Sequence, residues 1–456
     1  MAGKSYSMVP KDVPKVDTPF RKIVTRIPAP ESIPILEKLR QYEPMSMSGQ
    51  PPIVWDRAEG VQVYDAFGNM WLDWSSGVLV TNCGHGRKEQ RDAIIRQVDH
   101  GLLHNYCFPN GPRALLAEKL VEMTPPYLEK AFILTTGSEA TENAIKLART
   151  HGIADGGNEK TGIITFEHAF HGRTLGAQMA GGIPALKDWV GAPPPGFYQV
   201  PFPDGFRCED RSFDLFEKSL EDLGVDPDTV AGVMTETYQG GGASFAPPEY
   251  MQAMEKWCRT HGALLIMDEV QAGFGRTGTL FGFEHYGVEP DLICCGKGIS
   301  SSMPVSAVIG RADIMNQYGP GEMTSTHTGN PVCAAAALAG IDLIERENLV
   351  NNARTVGALL HEELDRIKAQ HTDIIGSRQG LGLVAGLHIV RPGGKDPDGD
   401  LAFRIVERSV EKGLLFFSPV GFGGATVKIA PPLTITEEAI RDGVQALSEA
   451  IQETTA

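Results

Sequence analysis

Residues 264–271 read LLIMDEVQ and residues 291–298 read DLICCGKG, and these two stretches decide the fold. Each is a short apolar run that ends abruptly in charged residues or glycine. Three similar apolar runs and two helical patterns lie around them: residues 132–135, 162–166 and 232–235 for the runs, 140–149 and 248–261 for the helices. Almost wholly apolar strands that alternate with helices are typical of a parallel sheet covered on both faces. The sequence therefore predicts an α/β fold with a mostly parallel sheet.

The flanking segments have a different pattern. Residues 1–30 are rich in proline and lysine without periodicity, so we expect an arm or a flexible start there. Residues 60–75 alternate apolar and polar side chains around a Gly-Asn pair, which predicts a β-hairpin. Beyond about residue 345, amphipathic helices at 350–370 and 437–454 flank short strands. We predict an arm and part of a small α+β domain in residues 1–83, a large domain in 84–345, and the rest of the small domain in 346–456.

The composition argues against several classes of partner. The 456 residues carry a net charge of -16 and no block of lysine and arginine, whereas nucleic-acid binding needs a basic surface. The seven cysteines form no CxxC pair, which favours reduced thiols and a cytoplasmic location. The first 30 residues lack the apolar core of a secretory signal, and we see no apolar run long enough to span a bilayer. We therefore expect neither a nucleic acid nor a membrane as partner.

The carboxyl ends of the predicted strands are the expected ligand site, because open α/β sheets bind ligands there. After the first apolar run, residues 136–139 read TGSE and open a helix. The unpaired N–H groups and the dipole of a helix N-terminus suit a phosphate, which predicts phosphate contacts at Gly137 and Ser138. A plain helix start with Ser138 as the capping residue explains the same four residues.

The second strand end carries an aromatic residue and an arginine. Residues 166–174 read FEHAFHGRT. Phe170 is suited to stack on a flat ring, and Arg173 can pair with a substrate carboxylate through its fork of donors. The alternative is a phenylalanine of the core and an arginine of the surface.

The next two strand ends carry acids and a lysine. Asp268 and Glu269 end a buried strand, where a charge is costly unless it is paired. A protonated ring nitrogen would supply that pair for Asp268, although two acids that face water are the alternative. Lys297 lies between two glycines, which allow close approach of a ligand. A desolvated lysine near other cations loses its proton and becomes a nucleophile, whereas a surface lysine does not.

Residues 273–278 read GFGRTG and match the GxGxxG pattern of dinucleotide-binding proteins. That pattern requires a helix that begins at its last glycine, and residues 279–283 are not helix-like. We therefore do not predict a dinucleotide site. The sequence also lacks a P-loop, an HExxH motif and paired cysteines with metal-ligand spacing, so no metal site is predicted.

The four strand ends together supply a phosphate cradle, a ring stack, an acid for a ring nitrogen and a reactive lysine. One cofactor needs all four, namely pyridoxal 5′-phosphate (PLP). We therefore predict a PLP site in which Lys297 forms the Schiff base.

At these residues the chain resembles the class III (ω-) aminotransferases among the fold-type I PLP enzymes, a group that includes 4-aminobutyrate and ornithine aminotransferases. The likeness runs from about residue 35 to 450, and residues 268–278 carry its most specific motif. It implies a large domain with a seven-stranded sheet, and a homodimer with shared active sites or a dimer of such dimers. It also implies cofactor contacts at a set of positions: Gly137, Ser138, Phe170, His171, Asp268, Val270, Gln271, Lys297 and, toward the phosphate of the neighbouring subunit, Thr326.

The resemblance also speaks to the substrate. Glu236 matches a family glutamate that acts as a gate and pairs with a C-terminal arginine. Lys428 stands where that arginine is usual, and a lysine keeps the charge but loses the bidentate fork. Pyruvate thereby becomes an alternative acceptor to 2-oxoglutarate. Val78 and Arg173 are the other positions that the resemblance implies near the substrate.

The implied activity is transfer of an amino group from an ω-, β- or γ-amino acid, or an amine, to a keto acid in a ping-pong mechanism, with Lys297, Asp268 and Glu236 as catalytic residues. A racemase, epimerase or decarboxylase on the same scaffold is the alternative, because fold and cofactor do not fix the outcome. A binding or regulatory module without catalysis is disfavoured, since a binder has no need of Lys297 and Asp268 together.

Overall fold

The computed structural model describes residues 4–455, which divide into two compact units. One unit consists of residues 4–87, Gly241–Ala243 and residues 349–455. The other consists of Lys88–Gly240 and Ser244–Asn348 and is called the large unit below. The functional domain boundaries near residues 83 and 345 stay a prediction, since compactness alone does not define function.

The first unit begins with an arm and a small sheet. Its elements up to residue 87 are strands β1 Val16–Asp17, β2 Lys22–Ile23, β3 Arg57–Glu59, β4 Gln62–Tyr64 and β5 Met70–Asp73, with helices α1 Ile33–Tyr42 and α2 Ser76–Leu79. Strands β4 and β5 pair antiparallel, which confirms the predicted hairpin. The arm is bridged by antiparallel pairing of Lys11 with Ile27, and the Lys11 ammonium lies 3.0 Å from Glu407.

The large unit is an α/β structure. Its helices are α3 Lys88–Asp99, α4 Gly111–Glu122, α5 Gly137–Gly156, α6 Leu175–Ala180, α7 Asp214–Asp222, α8 Pro248–His261, α9 Ala312–Met315 and α10 Pro331–Arg346. Its strands are β6 Lys130–Leu134, β7 Gly162–Phe166, β8 Phe197–Val200, β9 Val230–Glu236, β10 Tyr238–Gln239, β11 Ser244–Phe245, β12 Leu264–Asp268, β13 Leu292–Cys295 and β14 Ser306–Gly310.

Seven of these strands form one sheet in the order β6-β14-β13-β12-β9-β7-β8. Strand β14 runs in the direction opposite to the other six strands of this sheet, so the prediction of a mostly parallel sheet is confirmed. The central strands β9, β12 and β13 are buried along their whole length, as strands covered on both faces must be. Asp268 stands in register between Glu236 and Cys294, so the carboxyl ends of three neighbouring strands coincide.

The first unit is completed after residue 348. Its remaining elements are helices α11 Leu349–Gln370, α12 Gly399–Glu411 and α13 Glu437–Thr455, with strands β15 Ile375–Leu381, β16 Val384–Ile389, β17 Leu414–Leu415 and β18 Thr426–Ile429. Strands β15, β16 and β18 form an antiparallel sheet, while β17 pairs with β5. This segment has the predicted α+β character, and both of its predicted amphipathic helices are present.

Short 3-10 helices occur in both units: Pro30–Ser32, Met45–Met47, Pro184–Leu186, Asp188–Val190, Pro227–Thr229, Gly282–Tyr286, Lys297–Ile299 and Phe422–Gly424. None of the helices within residues 4–455 combines the length and the apolar character that crossing a bilayer requires.

Candidate active site

A cavity of about 150 Å³ opens at the carboxyl ends of the central strands of the large unit. A single water needs roughly a tenth of that space, so the cavity can take a multi-atom group. Most of the predicted cofactor residues line it, together with four residues that the sequence did not single out: Thr136, Gly137, Ser138, Phe170, His171, Gly172, Glu236, Tyr238, Asp268, Val270, Gln271, Ala272 and Lys297.

The start of α5 forms one wall of the cavity. The capping residue is Thr136, whose hydroxyl accepts the Glu139 N–H while the Glu139 carboxylate accepts the Thr136 N–H. Ser138 is therefore not the cap that the sequence suggested, since the reciprocal Thr-x-x-Glu arrangement takes that place. Gly137 is in tight contact, because an added Cβ would lie 2.9 Å from Val270 Cγ1. Only a glycine fits at this point, because its hydrogen takes the place of a Cβ. The unpaired N–H groups of this helix N-terminus form a cradle for an anion.

The loop after β7 carries the aromatic residue and the arginine. The Phe170 ring lines the cavity, and the Arg173 guanidinium carbon lies 5.5 Å from its centroid, within the range of a cation–π contact. The Arg173 side chain is exposed. The backbone N–H of Arg173 donates to Ser138 Oγ at 3.2 Å. Gly172 permits this approach, because an added Cβ would meet Ser138 Oγ at 2.4 Å.

Asp268 ends β12 inside a buried hydrogen-bonded pair. Its Oδ2 lies 2.8 Å from His171 Nδ1, and its Oδ1 accepts the Val270 N–H at 3.0 Å. Burial lowers the pKa of His171, but the Asp268 carboxylate outweighs burial, so that the net shift raises the His171 pKa. His171 Nε2 is buried without a hydrogen-bond partner. The pair orients the Asp268 carboxylate, which suits a cationic ring nitrogen.

Glu269, the neighbour of Asp268, has a structural task. Its carboxylate accepts the N–H groups of Gly282 and Phe283 at 2.8 Å each, and the Thr237 hydroxyl as well. It thus holds the start of the 3-10 helix Gly282–Tyr286. Burial raises the pKa of Glu269 to about 7. The first helical element after the GFGRTG motif is this 3-10 helix and not an α-helix.

Lys297 follows β13 at the floor of the cavity. Its φ of 44° lies in the left-handed region that side chains rarely adopt, and such strain is concentrated at functional sites. Burial lowers the pKa of Lys297, although the carboxylates of Asp268 and Glu236 oppose this effect. A larger share of neutral amine makes Lys297 a better nucleophile than a lysine in water.

Glu236 ends β9 beside Asp268, and its two carboxylate oxygens are tied to the backbone. Oε2 accepts the Phe170 N–H at 3.1 Å, and Oε1 accepts the Gly240 N–H at 2.9 Å. Burial raises the pKa of Glu236 to about 7. A Cβ at Gly240 would meet Gln271 Nε2 at 2.2 Å, so Gln271 lies against the same turn.

Four predicted residues are not among those that line the cavity: Arg173, described above, and Thr326, Val78 and Lys428. Thr326 is exposed in the loop before α10. Val78 and Lys428 belong to the first unit, where Val78 is 44% exposed and Lys428 is buried in β18. Among the missed residues, the Thr136–Glu139 spacing was a readable capping signal, whereas nothing in the sequence pointed to Tyr238, whose hydroxyl donates to the Gln271 carbonyl at 3.2 Å.

These residues fit PLP in chemistry as well as in number. The glycine cradle at the start of α5 suits a phosphate, the Asp268–His171 pair suits a protonated ring nitrogen, and buried Lys297 suits an aldehyde. With the seven-stranded sheet, they define a fold-type I PLP-dependent enzyme.

Comparison with known proteins gives the family. The sequence matches aminotransferase class-III over residues 45–451. A 4-aminobutyrate aminotransferase from Mycobacterium leprae (strain TN) is 33% identical over 448 residues, which cover 94% of this chain and 97% of that protein. An alanine/serine racemase from Pyrococcus horikoshii (strain OT-3) is 32% identical over 98% of this chain and 96% of its own length.

A solved structure is similar along most of the chain. The PLP-bound amine transaminase from an uncultivated Pseudomonas species has a TM-score of 0.81 at 30% identity, with 88% of this chain and 94% of that chain covered. The chain belongs to the class III aminotransferases, and its cofactor is PLP.

Proposed function

We propose that the protein transfers the amino group of an ω-, β- or γ-amino acid, or of a simple amine, to a keto acid such as pyruvate or 2-oxoglutarate in a ping-pong mechanism. The observation that carries this proposal is the burial of Lys297, which lowers its pKa, in one cavity with the Asp268–His171 pair. The name of the M. leprae relative, a 4-aminobutyrate aminotransferase, supports an ω-amino acid as the donor.

Each residue of the cavity then has a distinct task. Gly137 and Ser138 would bind the phosphate through the N–H groups of the α5 N-terminus, and Phe170 would contact the ring. Asp268, held by His171, would keep the ring nitrogen protonated. Val270 fills the space between two glycines, since an added Cβ at Gly137 or Gly296 would touch it.

When bound, PLP supplies an electron sink for the negative charge that develops at the substrate carbon. Lys297 is the residue that would hold the cofactor covalently, through its Nζ. When free, that Nζ would accept the proton from the substrate carbon that bears the amino group, as a general base. The lowered pKa of Lys297 favours this role, because a base must be neutral to accept a proton.

Substrate selection is assigned to residues around that chemistry. The exposed Arg173 guanidinium is available for the substrate carboxylate. Lys428 offers a point charge rather than a fork, which favours pyruvate over an acceptor with two carboxylates. We assign Val78 to a position near the substrate, and we assign to Glu236 the role of a gate.

The proposed assembly is a homodimer with shared active sites, or a dimer of such dimers, in which Thr326 contacts the phosphate of the neighbouring subunit. The exposure of Thr326 outside its own cavity supports this. The cytoplasm is the proposed location, supported by seven cysteines that are all free thiols.

The test is a half-reaction. The PLP-loaded enzyme is mixed with a single amino donor in the absence of any keto acid, and the cofactor absorbance is followed by stopped flow. We expect a change that saturates at one equivalent of keto product per active site and is reversed by pyruvate. If no donor in a panel of ω-, β- and γ-amino acids and amines changes the absorbance, transamination is refuted.

A second candidate is a racemase or epimerase, which the similarity to the P. horikoshii racemase along 98% of this chain favours. A decarboxylase on the same scaffold is the further alternative. Incubation of L-alanine and L-serine with the enzyme, without a keto acid, separates these outcomes by chiral chromatography and measurement of released carbon dioxide. Accumulation of D-enantiomer beyond one equivalent would favour the racemase.

A further inference from the structure

Element α2 of the first unit, Ser76–Leu79, is a single left-handed turn. The φ angles are 50° at Ser76, 55° at Gly77, 66° at Val78 and 62° at Leu79. Only one of these residues is glycine, and a β-branched residue such as valine is rarely found at positive φ. A run of this kind persists only where the surrounding structure holds it.

Asp73 stabilises the turn through hydrogen bonds of its carboxylate. Its side chain is fully buried, and its Oδ1 accepts both the N–H of Ser75 at 2.7 Å and its hydroxyl at 2.6 Å. Its Oδ2 accepts the Gly77 N–H at 3.2 Å and the His85 Nε2–H at 2.7 Å. One carboxylate therefore fixes the entry to the turn and its second residue.

His85 is in turn fixed by the sheet next to it. Its backbone exchanges two hydrogen bonds with Gly60, at 2.8 and 2.9 Å, and Gly60 forms the bend between β3 and β4. Its ring packs edge-on against Trp55, with the centroids 5.8 Å apart. The imidazole thus connects Asp73 to the hairpin of β3 and β4.

The turn has two consequences for side chains of this unit. Leu79 is 2% exposed, whereas its neighbour Val78 is 44% exposed. The Ser76 hydroxyl donates to the Ala430 carbonyl at 2.5 Å, and the Ala430 N–H donates to the Trp74 carbonyl at 2.8 Å. The turn is therefore joined to the end of β18, the strand that carries Lys428.

We propose that Asp73 and His85 are positioning residues that set the donor selectivity of the enzyme, because they hold the left-handed turn that presents Val78 and join it to the strand of Lys428. The inference rests on the proposed function, in which Val78 and Lys428 face the substrate. It assigns to His85, which is not among the residues that line the cavity, control over which donor fits.

The test compares two substitutions at one position. His85→Phe keeps a ring against Trp55 but removes the donor to Asp73, whereas His85→Gln places an amide N–H near the former Nε2. His361→Phe, on α11 of the same unit, removes another histidine with a side-chain hydrogen bond, to Arg378, and is the matched control for lost stability. Each PLP-loaded variant is assayed at a temperature well below its Tm with a small donor, β-alanine, and a bulky one, 1-phenylethylamine.

We expect His85→Phe to change the ratio of kcat/KM between the two donors by about tenfold, mainly through KM, since a contact misplaced far from the chemistry alters substrate fit. Cofactor affinity is expected to stay within a factor of two or so of the wild-type value. His85→Gln should restore most of the ratio, and His361→Phe should lower Tm without changing it. Hydrogen exchange should accelerate in residues 75–80 of His85→Phe alone.

Two outcomes would overturn the inference. An unchanged donor ratio in His85→Phe would do so, and so would equal changes in His85→Phe and His361→Phe. If the wild-type enzyme transaminates no member of a panel of ω-, β- and γ-amino acids and amines, the proposed function fails instead. In that case unchanged hydrogen exchange of residues 75–80 in His85→Phe refutes the positioning role independently.

Discussion

Replacement of Glu236 by glutamine tests the electrostatics of the cavity most sharply. The Glu236 side chain is buried, and its pKa is raised from 4.5 to about 7, first by burial and then by the nearby Asp268 carboxylate. His171 and the N–H groups of Phe170 and Gly240 favour the charged form, but not enough to offset burial. A glutamine is neutral at every pH, but its amide NH2 cannot accept a backbone N–H as the carboxylate oxygen that it replaces does.

The expected magnitude follows from linkage between protonation and folding. The folded protein binds the Glu236 proton more tightly than the unfolded chain, so this stabilising contribution is fully present below about pH 4.5. It is lost as the pH rises through about 7, where the folded protein must bury a charge. A pKa of about 7 against 4.5 corresponds to at most about 3 kcal/mol of unfolding free energy.

The assay is urea unfolding of the cofactor-free protein between pH 5 and pH 9. Because one backbone N–H loses its acceptor, Glu236→Gln should be less stable than wild type by about 1–3 kcal/mol at pH 5. This difference should move in favour of the variant by up to about 3 kcal/mol as the pH rises to 9. Glu217→Gln, which removes the same charge from an exposed site on α7, corrects for net charge. If the free energy of unfolding of the variant falls relative to that of wild type as the pH rises, the reasoning is refuted. Such a fall would mean that the cavity stabilises the Glu236 anion.

Three further changes have separate expected outcomes. Gly137→Ala should weaken PLP binding about tenfold without unfolding the protein, because its Cβ would lie 2.9 Å from Val270 Cγ1; cofactor titration by absorbance measures it. Asp268→Asn should slow the half-reaction at least about 100-fold in stopped flow with a small change in Tm, whereas Glu269→Ala should cost about 3 kcal/mol of stability by unpairing two buried N–H groups. Lys428→Arg should raise kcat/KM for 2-oxoglutarate relative to pyruvate about tenfold if Lys428 meets the acceptor, and an unchanged ratio would remove it from the substrate site.

Much of the site could be predicted because strand ends are readable. Strands β9, β12 and β13 are buried on both faces, so their apolar runs stop where the cavity begins, at Glu236, Asp268 and next to Lys297. Helix α8 begins and ends at the predicted residues because Pro248 starts it and a left-handed Gly262 follows it.

Other features depend on contacts that are distant in sequence. Side chains of adjacent strand residues point to opposite faces, so Asp268 and Glu269 must lie in different environments. Strand periodicity alone does not show which of the two lines the cavity. Strand β14 runs antiparallel, although its apolar run does not differ from those of parallel strands. The His171 partner of Asp268 comes from a loop 97 positions away. The left-handed turn at Val78 is held by Asp73 and His85, and its local sequence contains a single glycine.

The most direct measurement concerns the covalent attachment of the cofactor. The PLP-loaded enzyme is reduced with borohydride, digested, and mapped by mass spectrometry, with Lys297→Ala as the control. The account predicts one pyridoxyl label per chain, at Lys297, and none in the control. An unlabelled Lys297, a label on another lysine, or a Lys297→Ala variant with normal turnover would contradict it.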